Sequence, residues 1–154
     1  ATGKNNKIER PATDSLNPCR FALLLLSPEN DAVAPARAPS ATDDLDRPLA
    51  QYWSAASHNS YIVGDQLTGR STADAYRRLL LQGYRQVEID CWDGRTQPIV
   101  THGHTFCTVE RFAEVVRAVA ECAFVTSELP VILSLEMHCS PKHQHRLAQM
   151  MQEH

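Results

Sequence analysis

Long apolar runs are missing from these 154 residues; the longest, Phe21–Leu26, has six. A helix that crosses a bilayer needs about 18, so nothing in the chain reads as a span. A run this short, and this far from the start, does not read as a secretory leader either. Basic charge is not in excess: 15 Lys and Arg stand against 18 Asp and Glu, a formal net charge of −3. That argues against a nucleic-acid binder acting through a basic surface. Paired thiol spacings are also absent. Cys19, Cys91, Cys107, Cys122 and Cys139 contain no Cys-x-x-Cys and are odd in number, so reduced cytosolic thiols are the simplest account. No His-Glu-x-x-His run, calcium-binding EF-hand loop or internal repeat occurs.

With 43% hydrophobic and 21% charged residues, the chain has the composition of one ordinary soluble globular domain with a sizeable core. Residues 1–18 are polar and aperiodic, and are expected to be disordered. Phe21–Leu26 suits a short helix ending at Ser27-Pro28. Residues 31–47, rich in Pro, Ala, Ser and Asp, have the composition of a linker. From residue 48 the pattern changes. Strand-like runs at Tyr52–Asn59, Gln86–Cys91, Pro98–His102 and Pro130–His138 alternate with helical runs at Thr72–Gly83, Val109–Ala123 and Pro141–Gln152. Val109, Phe112, Val116, Val119 and Ala123 form an apolar helical stripe, and Gly83 stands where a left-handed helix cap needs glycine. Alternating β and α units predict an α/β fold with parallel strands and outer helices.

Polar residues close the strand-like runs. Strand alternation puts Glu88 and Asp90 on one face, against Val87, Ile89 and Cys91, and puts Glu136 with Ser134 and Ile132. His102 falls with Val100, and Asn59 beside His58 ends the first run. The C-terminal ends of parallel strands are where barrels assemble active sites. Asn59, Glu88, Asp90 and Glu136 offer only oxygen donors, the preference of calcium and magnesium. Three clustered carboxylates would repel one another without a cation. His58 and His102 then remain for proton transfer on a phosphate ester. Taken singly, each motif has a plainer explanation: Glu-x-Asp as solvated surface, Asp93-Gly94 as a turn, Trp53 and Trp92 as packing residues. His104, His138, His143 and His145 are expected to be structural or exposed, with a metal group of Cys139, His143 and His145 a minor alternative. Only the ordered set points to a site.

Ser57-His58-Asn59-Ser60-Tyr61, Glu88-Ile89-Asp90-Cys91-Trp92-Asp93-Gly94, His102-Gly103-His104-Thr105 and the 130–140 segment Pro-Val-Ile-Leu-Ser-Leu-Glu-Met-His-Cys-Ser resemble the X region of eukaryotic phosphoinositide-specific phospholipase C. The likeness runs from about Arg47 to His154. Leu24–Asn30 is similar to the segment that closes the family's EF-hand module, so residues 19–30 would be a remnant of it and 48–154 a partial X domain.

The resemblance implies the N-terminal part of a TIM-like barrel, its X half. Asn59, Glu88, Asp90 and Glu136 match the family's calcium ligands, and His58 and His102 its catalytic histidines. The implied reaction converts phosphatidylinositol 4,5-bisphosphate to diacylglycerol and inositol 1,4,5-trisphosphate through a cyclic phosphodiester, in intracellular signalling. Implied partners are a membrane phosphoinositide met by peripheral contact from the cytoplasm, and the missing barrel half; no nucleic acid is expected. The family's basic phosphate-binding residues would lie beyond His154, leaving this chain a fragment of low activity alone. Met137 departs from the family's usual Asn or Asp. Rival expectations are a glycerophosphodiester phosphodiesterase-like enzyme and a phospholipase-C-like binding protein without turnover.

Overall fold

Seven residues, Gln86–Trp92, form the strand around which the rest is arranged. In this computed structural model the described residues are 17–27, 30, 45 and 47–154. Of the expected disorder over residues 1–18, residues 1–16 lie outside them, as does most of the 31–47 linker, while Asn17 and Pro18 cap and begin a helix instead. Residues 1–48 and 49–154 are two separate units.

In the first unit, α1 spans Pro18–Leu25. The Asn17 side chain accepts from Arg20 N at 2.8 Å and Pro18 takes the first turn, where its missing N–H costs nothing. None of its residues is buried.

The second unit holds β1 (Ile62–Val63), β2 (Arg70–Ser71), α2 (Ala73–Leu81), β3 (Gln86–Trp92) and β4 (Ile99–Val100), then β5 (Glu110–Arg111), α3 (Phe112–Cys122), β6 (Ile132–Met137) and α4 (Pro141–Gln152). Strands β1 and β2 pair as a small antiparallel ribbon, and the main sheet runs β5-β4-β3-β6. Its β3–β6 pair is parallel, setting Glu88 against Ser134 and Asp90 against Glu136. The apolar faces of β3 (Val87, Ile89, Cys91) pack with Tyr76 and Leu80 of α2, Phe112 and Val115 of α3, and Leu147 and Met150 of α4 in one core.

Helix α2 shows how local chemistry sets the boundaries. Thr72 Oγ1 accepts from Asp74 N at 3.3 Å, Asp74 lies in the first turn and Arg78 in the last, matching the helix dipole. At the far end Gly83 has φ +94°, with Gly83 N donating to Leu80 O and Tyr84 N to Leu79 O. This is a Schellman stop, which glycine alone adopts freely. Immediately after it, the buried Arg85 guanidinium donates to the carbonyls of Tyr84, Leu80, Ala123 and Leu129. It thereby serves carbonyls past the end of α3, at Ala123 and Leu129, and adds to the Gly83 N–H already on Leu80 O.

Four further sequence expectations change. The run Tyr52–Asn59 is not a strand: it follows a 3₁₀ turn at Leu49–Gln51 and makes a single parallel bridge, Ala56 to Gln86. Strand β4 is antiparallel to β3, not parallel, and ends at Val100. Because β3 overshoots its acidic residues by Cys91 and Trp92, a hairpin brings the chain back, and Thr101 N reaches Asp90 O at 3.4 Å. The α3 stripe starts at Phe112; Val109 precedes the helix and is exposed, while Val115 and Cys122 join the buried face. Trp53 is fully exposed rather than packed.

Candidate active site

Register alone gathers the acids. Glu88 and Asp90 project from one face of β3, and Glu136 stands opposite Asp90 on β6. Carboxylate oxygens of these three residues lie within 4.8 Å of one another. Like charges placed directly opposite across a strand pair are destabilising, so the arrangement asks for compensation. Each acid has one donor aimed at it. Asn59 N donates to Glu88 Oε2 at 2.6 Å, Tyr61 Oη donates to Asp90 Oδ2, and His138 Nε2 lies 3.2 Å from Glu136 Oε2.

Asp90 is the most enclosed of the three, with 4% of its surface exposed. Burial raises its pKa above the ordinary carboxylate range, Glu136 and Glu88 add to the rise, and the Tyr61 hydroxyl opposes it. Among the described residues its second oxygen, Oδ1, is buried with no hydrogen-bond partner. A buried carboxylate oxygen left empty costs free energy, and here it belongs to a group flanked by two more acids. A hard cation answers both the orphaned lone pair and the repulsion. The phenol of Tyr61, fully buried, has its own pKa raised first by desolvation and next by Asp90, so it remains a donor.

Asn59 and His58 arrive on the segment that bonds to the start of β3. Ser57 N donates to Gln86 O at 3.0 Å and Glu88 N donates to Ser60 Oγ at 2.9 Å. Asn59 takes a left-handed backbone, φ 45°, which asparagine tolerates better than most residues. Its Oδ1 lies 3.1 Å from Tyr61 Oη and its Nδ2 donates to Gln66 Oε1 at 2.6 Å. His58 is mostly exposed, its Nε2 3.9 Å from Glu88 Oε2. His102 lies beyond the end of β4, on the loop, with Nδ1 2.7 Å from the Gln66 carbonyl. A carbonyl only accepts, so Nδ1 carries the proton and Nε2 is the nitrogen left to exchange one. The structure thus brings His58, Asn59, Glu88, Asp90 and Glu136 together, and ties His102 to them only through Gln66, whose carbonyl meets His102 and whose side chain meets Asn59.

Three participants were not assigned from sequence: Tyr61, Gln66 and His138. Tyr61 stands two residues after Asn59 in the Ser-His-Asn-Ser-Tyr run, a signal that was available. Gln66 had none, because its role depends on loop geometry. Of the remaining histidines, His143 Nδ1 bonds Asp93 Oδ1 at 2.6 Å and His145 Nε2 meets Gln149; with Cys139 they form no metal group among the described residues. Asp93 does more than turn the chain. It also accepts from Ser140 N and Oγ, both at 3.0 Å, at the N-terminus of α4, and the Ser140 N–H leads the contacts that lower its pKa.

Comparison with known proteins decides the family. Residues 45–154 match the phosphatidylinositol-specific phospholipase C, X domain. The chain belongs to the phosphatidylinositol-specific phospholipase C family. A 1-phosphatidylinositol 4,5-bisphosphate phosphodiesterase of Drosophila melanogaster is 50% identical over 108 residues, 68% of this chain and 10% of the relative. The beta-4 phosphodiesterase of that name from Homo sapiens is 46% identical over 133 residues, 84% of this chain and 11% of its own length. Among solved structures, L. pealei PLC21 superposes with TM-score 0.74 at 46% identity, covering 87% of this chain and 17% of that one. S. officinalis PLC21 gives 0.75 at 44% identity, with the same coverage. The architecture is therefore the N-terminal part of the phospholipase C barrel, and this chain spans about a tenth of the length of the curated relatives it matches. No helix among the described residues is long and apolar enough to cross a membrane.

Proposed function

We propose that this chain carries the catalytic centre of a calcium-dependent phosphoinositide phospholipase C, cleaving phosphatidylinositol 4,5-bisphosphate to diacylglycerol and inositol 1,4,5-trisphosphate. The observation that carries the proposal is the orphaned Asp90 Oδ1, buried beside the carboxylates of Glu88 and Glu136. Relatives whose names specify that substrate, at 42–50% identity, support the substrate class.

Asn59, Glu88, Asp90 and Glu136 would hold the ion. Calcium suits them better than magnesium: at metal–oxygen distances of about 2.3–2.6 Å it spans oxygens up to roughly 5 Å apart, whereas magnesium at about 2.0–2.1 Å spans only about 4 Å. When bound, the cation would acidify the attacking inositol hydroxyl and neutralise charge on the phosphoryl oxygens. The chain's own groups do the rest. Glu88 or Glu136 accepts the proton of the inositol 2-hydroxyl as that oxygen attacks the adjacent phosphorus. His102, its Nδ1–H fixed on Gln66, delivers a proton from Nε2 to the departing diacylglycerol oxygen. His58 donates a hydrogen bond to the pentacoordinate transition state, where such a donor is worth about 3 kcal/mol. Water then opens the cyclic phosphodiester.

Two surface features fit the wider assembly. Leu67 and Phe106 are exposed, at 66% and 89%, and are joined by a 2.8 Å bond from Phe106 N to Leu67 O. They sit on the two loops that Gln66 and His102 tie together, so an apolar knuckle stands beside the site where peripheral contact with a membrane is needed. Among the described residues β6 is the last strand of the main sheet. An unpaired edge of this kind invites further strands, the place for the rest of the barrel.

The test is release of inositol phosphate from phosphatidylinositol 4,5-bisphosphate vesicles. His58→Ala and His102→Ala should each lower turnover by roughly 10²-fold or more while calcium affinity stays near wild type. Unchanged turnover in either variant defeats the assigned roles.

A further inference from the structure

Of the three acids, Glu136 is the least confined. Its side chain is 49% exposed, against 14% for Glu88, and it is the last residue but one of β6, whose last two residues are exposed. Among the described residues the only hydrogen-bond partner of its carboxylate is His138. That histidine is itself held. Its ring lies flat on Trp92, centroids 4.4 Å apart and planes 16° from parallel. Its backbone N donates to Cys91 O at 2.9 Å. Trp92 is fixed in turn from the loop that carries His102. His104 meets it edge-on at 5.3 Å, from a left-handed backbone of φ 61°. Gly103 lies so close that a Cβ there would overlap the indole ring.

We propose that His138 is a positioning residue: stacked on Trp92, it aims the Glu136 carboxylate at the cation. A carboxylate accepts only, so the nitrogen facing it must carry hydrogen. Asn59 N–H does the same for Glu88, and the Tyr61 hydroxyl for Asp90. Oriented ligands lose less freedom on binding, and outer partners of metal-binding side chains are typically worth 10–100-fold in affinity. Trp92 thereby couples Glu136 on β6 to the His102 loop, so the ion's last ligand and the proton donor share one support. This inference rests on the calcium assignment and goes beyond it.

The experiment is calcium titration of the full-length protein by calorimetry, paired with terbium luminescence excited through nearby aromatic rings. His138→Phe keeps a ring over Trp92 but removes the donor, and should weaken calcium roughly tenfold with the melting temperature of the calcium-free protein unchanged. His138→Gln restores an N–H donor and should recover most of that loss. Trp92→Leu, which leaves His138 unsupported, should weaken calcium several-fold and lengthen the path for energy transfer to terbium. Wild-type affinity in His138→Phe, alongside weakened binding in Asp90→Asn, overturns the role of His138 and leaves the metal site standing. Wild-type affinity in Asp90→Asn as well removes the calcium site itself, and this inference with it.

Discussion

Arg85 stands just before β3 and Asp90 near its far end; both are buried, with 8% and 4% of their surface exposed. At the near end every nitrogen of the guanidinium donates, to four carbonyls gathered from α2, α3 and the loops around them. At the far end a carboxylate has one oxygen satisfied and the other empty, with two like charges alongside. One end of the strand has been closed, and the other holds an unmet demand. In parallel barrels the N-terminal face serves stability and the C-terminal face chemistry. Here the division is visible in the satisfaction of single atoms.

Changes at the two ends should therefore move in opposite directions. The largest effect belongs to Arg85→Met, which leaves several carbonyls unsatisfied at about 1–3 kcal/mol each; urea denaturation should show a loss on the order of 3–5 kcal/mol. A loss below 1 kcal/mol would erase the contrast.

Asp90→Asn should do the reverse in calcium-free protein, raising stability at neutral pH while abolishing calcium binding. The sign follows from the raised native pKa. Asp90 contributes stability that is fully present below its unfolded pKa, about 3.9, and lost as pH rises through the higher folded value. Unfolding curves of wild type and variant, taken in chelator at several pH values, should converge in acid and separate above that window. Calcium should restore the wild type alone.

Smallest in stability is the rim. Leu67→Ser with Phe106→Ser replaces exposed apolar groups, so the denaturation midpoint should hardly move while sedimentation with phosphoinositide vesicles falls several-fold. Undiminished vesicle binding would remove the membrane role of this knuckle.

Much of the far end was legible before any coordinates. Glu88 and Asp90 share a face because strand side chains alternate, and parallel pairing set Glu136 beside Asp90. Helix limits at α2 and α4 followed from Thr72, Gly83 and Pro141, residues that bear directly on backbone geometry. What failed depended on tertiary partners. Pro98–His102 carries a strand-like pattern, but periodicity says nothing of direction, and the antiparallel return of β4 arises from β3 running past its acids. Tyr52–Asn59 is apolar and aromatic enough for a strand, yet only Ala56 finds a bridge, and Trp53 is left in solvent. The services of Gln66 and Arg85 were invisible for a related reason: they bond to residues distant in sequence, His102 for the first and Ala123 and Leu129 for the second. Asp93 shows the same limit. Its turn was readable; its hold on Ser140 and His143 was not.

The central claim is that one calcium ion sits where Asp90 Oδ1 is orphaned. A crystal structure of the protein with calcium, using anomalous scattering to place the ion, tests it most directly. The account predicts one peak about 2.3–2.6 Å from carboxylate oxygens of Glu88, Asp90 and Glu136, with the Asn59 amide turned toward it. A calcium peak elsewhere, with this cluster empty at saturating calcium, would contradict it.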